Sequence, residues 1–196
     1  MRIVAGRWRG RALTAPPGTA TRPTSDRARQ AIFDMLLHAA WGGRDLIEGS
    51  HVLDAFAGTG AMGLEALSRG AAHATFIERD PAALAALRRN VAVCRADADI
   101  LAADACAPPA GRPCRLVFLD PPYGQDLVPR AAAALAAAGW FAPGAIVVAE
   151  TARSDALSWP ESLGPDVLDE RTYGAARVSV RRVGDATAPQ AIACGA

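Results

Sequence analysis

At 196 residues, with 51% apolar and 21% charged side chains and a formal net charge of +1, the chain suits one soluble domain that buries a core without metals or disulfides. All 21 basic residues are arginine, which excludes Schiff-base catalysis and a phosphate-loop lysine. No apolar run is long enough to span a bilayer, the basic start Met1 to Arg11 lacks the apolar segment of a secretory signal, and Cys94, Cys106, Cys114 and Cys194 lack metal-ligand spacing; a cytoplasmic protein with no membrane partner and no metal is expected.

Residues 2–24 read as irregular or hairpin-like, broken at Gly6, Gly10, Pro16, Pro17, Gly18 and Pro23. Residues 1–30 hold seven arginines and one acid, Asp26, whereas the rest of the chain is acidic on balance. Such an arm suits either a phosphate backbone or plain solvation. Thr24 or Ser25 can cap a helix whose Ala28, Ile32, Met35, Leu36 and Ala39 share one face, ending before Gly42. Strands then alternate with helices: strand 51–56, helix 61–69, strand 74–78, helix 81–94 opened by Pro81, a short strand around Ile100, strand 115–119, helix 127–138 and strand 145–150. This alternation predicts an α/β fold with a mostly parallel sheet covered on both faces. Segments 167–172 and 177–183, joined by residues 173–176, predict a C-terminal antiparallel hairpin, and a frayed tail is expected from Gly184. The expected organisation is thus a basic extension over 1–24, a main domain over 25–183 and a tail over 184–196.

Two turns carry chemistry. In the segment from Val52 to Gly63, Gly58 and Gly60 allow a tight turn and close approach to a ligand, and Glu78 closes the second strand where it can hold a ribose. Gly58 to Gly63 also satisfies G-x-G-x-x-G, so the turn alone fits a nicotinamide cofactor as well as S-adenosylmethionine. Asp54, four residues before Gly58, favours the second, because a pyrophosphate is repelled by an acid and an ammonium or sulfonium is not. Asp104 follows the third strand, where it can accept from an adenine amine or serve as an ordinary loop residue.

The second turn is Asp120-Pro121-Pro122-Tyr123, after the strand that ends at Leu119. An exocyclic amine is a poor nucleophile because its lone pair is delocalised into the ring. An ionised Asp120 is acceptor-only, and the Pro121 carbonyl is a second acceptor, so the pair can hold both amine hydrogens. Pro121 and Pro122 stiffen the backbone and remove competing donors, and Tyr123 offers a face for a base. The acids and both turns, taken in order, point to amine methylation by S-adenosylmethionine.

With these motifs the chain resembles the bacterial 16S ribosomal RNA guanine-N2 methyltransferases called RsmD, over roughly residues 2–183. The resemblance is carried by the run from Arg2 to Arg11, by Arg22 to Arg27, by the helix containing Phe33, by Leu53 to Gly60 and Gly63 to Ala71, by Asp120 to Tyr123, and by Gly139-Trp140-Phe141. It implies a seven-stranded Rossmann-like class I fold with an N-terminal hairpin extension. It also implies methylation of a guanine N2 in 16S ribosomal RNA within the small subunit or a late assembly particle, by a monomer. Asp54, Ala57, Gly58 and Gly60 would surround the methionine part of S-adenosylmethionine, Glu78 the ribose and Asp104 the adenine. Asp120, Pro121, Pro122 and Tyr123 would hold the guanine. Arg7, Arg9, Arg11, Arg22, Thr24 and Arg27 would contact RNA, and Trp8 would stack on a base or pack the hairpin onto the body. Competing functions are an adenine-N6 nucleic-acid methyltransferase, which the same Asp-Pro-Pro-Tyr turn serves, and a ribosome-assembly factor retaining only the cofactor pocket.

Overall fold

The computed structural model describes residues 1–16 and 26–184. Arg22, Thr24, the cap expected at Thr24 or Ser25, Cys194 and the tail beyond Gly184 lie outside the described residues. Seven strands form one sheet: β1 His51–Asp54, β2 His73–Glu78, β3 Ala98–Ala102, β4 Cys114–Leu119, β5 Phe141–Ala152, β6 Val167–Tyr173 and β7 Ala176–Arg182. Among the described residues four α-helices accompany them: α1 Asp26–His38, α2 Ala61–Ser68, α3 Pro81–Cys94 and α4 Leu127–Ala137.

The strand order is β3-β2-β1-β4-β5-β7-β6. β1 to β5 pair in parallel; β7 runs antiparallel to β6, as the hairpin signal predicts, and also to β5. Buried side chains of α1, α2 and α3, such as Phe33, Leu64 and Leu87, join Val52, Phe76 and Phe118 on one face of the sheet. Val128, Ala131 and Leu135 of α4 pack with Leu53, Val117 and Val147 on the other. Successive residues of a strand point to opposite faces, so the two-sided core requires the near-continuous apolar runs that mark β1 and β4. The winding reverses between β1 and β4, and in such sheets the crevice outside the carboxyl ends of the strands at that point is where ligands bind.

Local signals account for most boundaries. α3 begins at Pro81 with the Asp80 side chain accepting from the Ala83 N–H at 2.8 Å, an N-cap followed by the residue best suited to the first turn. β5 is longer than its apolar core suggests. Pro143 and Gly144 look like a break in sequence, yet the register shifts between Cys114 and Leu116 and this irregularity absorbs them within the strand. α1 also differs in detail. Arg29, Ile32, Phe33, Met35 and Leu36 are its buried residues, while Ala28 and Ala39 are only half-buried. Phe33 meets Phe118 with ring centroids 5.6 Å apart, tying α1 to the sheet centre. No described helix is long and apolar enough to cross a membrane, and the described residues hold no cluster of metal-ligating side chains.

Candidate active site

The turn from β1 into α2 is stitched on both sides. The Ala55 N–H donates to the Phe118 carbonyl of β4 (3.0 Å), and the Ala57 N–H to the Ile77 carbonyl of β2 (3.1 Å). Gly58 and Gly60 then take positive φ values of 53° and 79°, a conformation that favours glycine. Asp54, 2% exposed, accepts the Gly63 N–H at 3.0 Å and so holds the first turn of α2 from the end of the strand. Burial pushes its carboxyl up to about 7, against the Gly63 hydrogen bond and with help from the nearby Glu78 charge.

Glu78 gathers backbone donors. Its Oε2 accepts the Gly58 N–H, and its Oε1 accepts the N–H groups of Arg79 and Asp80, all at 2.8 Å. Asp104 accepts the Cys106 N–H through Oδ1 and the Arg79 guanidinium through Oδ2, each at 2.8 Å. The Cys106 hydrogen bond, working against partial burial and joined by Arg79, holds Asp104 below the ordinary carboxylate range. Asp54 and Glu78 thus end β1 and β2, and Asp104 follows β3, three adjacent strands, around a glycine turn whose backbone can approach a ligand.

Asp120 follows β4, the other neighbour of β1, with Asp54 opposite Phe118 in the register. The two turns that sequence singles out therefore abut at the carboxyl edge. Asp120 is half-buried and Pro121 buried, whereas Pro122 and Tyr123 face outward. Residues 121–129 form one wall of a cavity of about 460 Å³, and Glu150, Thr151 and residues 155–158 form the other. The Tyr123 hydroxyl donates to Glu150 Oε1 at 2.6 Å, so the exposed ring is held from its far end. Sequence reasoning ends a strand at Glu150 and assigns it no part; an acid closing an apolar strand beside the Asp120 turn is the signal that could have drawn attention to it.

The basic arm packs onto the body as a short hairpin. Its strands are linked by hydrogen bonds from Ile3 N–H to Arg11 O (2.9 Å) and from Leu13 N–H to Met1 O (3.1 Å), and Ile3 and Leu13 enter the core. Glu65, fully buried on α2, accepts the Val4 and Ala5 N–H groups at 2.7 and 2.9 Å, pairs with Arg69 at 2.8 Å and lies 3.5 Å from the fully buried Arg29. Ser68 accepts the Trp8 N–H at 3.0 Å and donates to Ala5 O at 2.6 Å. Asn90 exchanges two hydrogen bonds with the backbone of Thr14 and donates to Thr59 O in the glycine turn at 2.9 Å. The sequence signal missed here is two polar residues, Glu65 and Ser68, three apart on a short helix that is otherwise free of polar side chains.

Arm side chains divide by position. Trp8 is half-buried against the core, with the Arg7 guanidinium 4.1 Å from its ring centroid. Arg11 donates to the Val93 carbonyl on α3, and Arg7, Arg9 and Arg27 are exposed. The hairpin tip lies against Ser68, about 10 Å of helix from the Ala61 start of α2. Met1 meets Thr59 of the glycine turn, and Thr14 is linked to that turn through Asn90.

A family model described as "Conserved hypothetical protein 95" matches residues 1–182. The Escherichia coli (strain K12) protein "Ribosomal RNA small subunit methyltransferase D" is 40% identical over 154 residues, covering 77% of this chain and 74% of its own. The solved structure of the Escherichia coli protein yhhF superposes with a TM-score of 0.80 at 34% identity, over 94% of this chain and 98% of that one. An RNA methyltransferase from Salinibacter ruber, solved in complex with S-adenosyl-L-homocysteine, shares the fold with a TM-score of 0.61 at 16% identity, over 86% of this chain and 97% of that one.

Proposed function

The chain belongs to the RsmD family of methyltransferases, and from that premise we propose that it transfers a methyl group from S-adenosylmethionine to the exocyclic N2 of a guanine in 16S ribosomal RNA of the small subunit. The observation that supports this most is the abutment of the Asp54–Gly60 turn and the Asp120–Tyr123 turn on adjacent strands. One turn suits the cofactor and the other suits an amine, and they meet where the sheet reverses.

The chain's own residues fit the cofactor. Glu78 and Asp104 are acceptors suited to a ribose diol and an adenine amine, and Asp54 offers a carboxylate suited to the methionine ammonium. S-adenosylmethionine supplies a methyl carried on a sulfonium, which an amine nitrogen can displace. Asp120 and the Pro121 carbonyl would accept the two amine hydrogens and fix the nitrogen's orientation, so that positioning and acceptors facing developing positive charge lower the barrier. Tyr123, held by Glu150, would support the ring by stacking. Residues 1–24 would serve as an RNA-binding extension, with its Arg7, Arg9, Arg11, Arg22 and Thr24, and Arg27 of α1, contacting the RNA. We propose that the enzyme acts in the cytoplasm as a monomer.

The test is incubation of the protein with labelled S-adenosylmethionine and small subunits from a strain lacking the gene, followed by nucleoside identification. Labelled N2-methylguanosine from one site supports the reading. Labelled N6-methyladenosine, or measurable cofactor binding with no label in RNA, overturns it.

A further inference from the structure

Glu150 stands beside Asp120. In the β4–β5 pairing Leu119 is opposite Ala149, so the next residue on each strand brings the two acids side by side at the carboxyl edge, on the face that carries Phe118 and Val148. Both line a narrow crevice of about 10 Å³ with Ile32, Met62, Phe118 and Val148, and Glu150 also lines the larger cavity beside Tyr123. It is only 8% exposed, and the Tyr123 hydroxyl fixes one of its oxygens at 2.6 Å.

When ionised, two neighbouring carboxylates form an acceptor-only surface. The Watson–Crick edge of guanine presents donors in a row, the N1–H and the N2 amine. Adenine presents an N1 lone pair between its amine and C2, which two carboxylates repel. Resting on the guanine-N2 reading above, we propose that Glu150 accepts the N1–H of the target guanine while Asp120 accepts from its N2 amine, so that Glu150 selects guanine. Tyr123 then has two tasks: its ring supports the base and its hydroxyl aims Glu150.

The experiment compares kcat/KM on small subunits carrying either guanine or 2-aminopurine at the methylated position. 2-aminopurine keeps the N2 amine but has an acceptor at N1. The wild type should prefer guanine by about 10- to 100-fold, the range for losing a hydrogen bond to a charged group. Glu150→Gln, whose amide can donate to that acceptor, should shrink the preference at least about tenfold by the same reasoning while S-adenosylmethionine affinity is unchanged. A purely structural role would lower both substrates together and leave the ratio where it was, and that result overturns the proposal, as does a wild type indifferent to the two bases. Should Glu150→Gln fail to fold, Tyr123→Phe leaves the carboxylate but removes its guide; the ratio should then fall severalfold, and an unchanged ratio counts against Glu150. Nucleoside analysis of the wild-type product separates the failures. N2-methylguanosine with an unchanged ratio removes Glu150 alone, whereas a different methylated nucleoside removes the parent reading and Glu150's role with it.

Discussion

Replacing Glu65 with glutamine tests how the arm is held. In the folded chain this carboxylate receives two backbone N–H groups, from Val4 and Ala5, and faces the guanidinium groups of Arg69 and Arg29. Glutamine keeps the size and one acceptor oxygen but turns an amide NH2 toward what was a donor, leaving about one buried N–H unpaired at about 1–3 kcal/mol. It also deprives Arg29, which is 0% exposed, of one of its two acids; Asp26 remains at 2.8 Å. Removing one partner of a buried pair costs about 3–5 kcal/mol, and Asp26 places the combined loss toward the lower end of that range. Against a total stability of about 5–15 kcal/mol this is a large fraction, equivalent to a fall in Tm of about 6–12 °C for a chain of this length. Urea unfolding followed by tryptophan fluorescence measures it, and Trp8 on the arm adds a local reporter. Hydrogen exchange at Val4, Ala5 and Trp8 should accelerate before the rest of the sheet opens. A loss below about 1 kcal/mol with those amides still protected would refute the view that a buried charge network docks the arm.

Further outcomes follow from the same geometry. Burial lifts Asp54 to about 7 from an ordinary 3.8, so between these values the unfolded chain gives up its proton while the folded chain keeps it, and stability falls as pH rises through that window. Asp54→Asn should flatten the slope, worth on the order of 4 kcal/mol, in urea titrations run at several pH values; an equally steep slope would reassign the titration. Asp120→Asn should lower turnover by about 100-fold or more while RNA affinity stays within about twofold, measured by single-turnover labelling and filter binding; equal losses would give Asp120 a folding role. Changing Arg7 and Arg9 to glutamine should reduce the salt dependence of RNA binding by about one unit of slope for each phosphate that an arginine had neutralised, and leave cofactor affinity alone; a parallel drop in cofactor affinity would make the arm structural. Gly6→Ala should detach the hairpin tip, since the glycine has φ +77° and an added Cβ would sit 1.8 Å from the Ser68 carbonyl oxygen; limited proteolysis near the N-terminus measures this, and wild-type resistance would contradict it.

Legibility in the sequence tracks the range of the interaction. The strand and helix alternation is local, and apart from β5 each element of the parallel half lies within about two residues of where apolar period and turn residues predict, down to Pro81 opening α3. β5 escapes in part because Pro143 and Gly144 signal a break locally, while the register shift that accommodates them belongs to the pairing with β4. Arg29 and Glu65 escape for a stronger reason. Each looks like an ordinary polar residue on a helix, and only the packing of α1, α2 and the arm together, across tens of residues of chain, makes burying them tolerable. Glu150 is similar: its meaning depends on Tyr123 and Asp120, which the sheet brings to it.

Acids at the strand ends show what topology adds to motif order. Along the chain they run Asp54, Glu78, Asp104, Asp120, Glu150. Along the sheet edge the order becomes Asp104, Glu78, Asp54, Asp120, Glu150, because the winding reverses after β3 and β4 is laid beside β1. Asp54 thereby moves from the start of the series to its centre, between the acids suited to a nucleoside cofactor and those suited to a base. The proposed transfer chemistry needs a donor pocket and an acceptor pocket that share one boundary, and the β1–β4 junction is the place in this topology where two turns from distant parts of the chain can supply it. Since Asp54 commits its carboxylate to the Gly63 N–H of α2, any change that tilts α2, including release of the arm from Glu65 on that same helix, should be felt at that boundary as well as in stability.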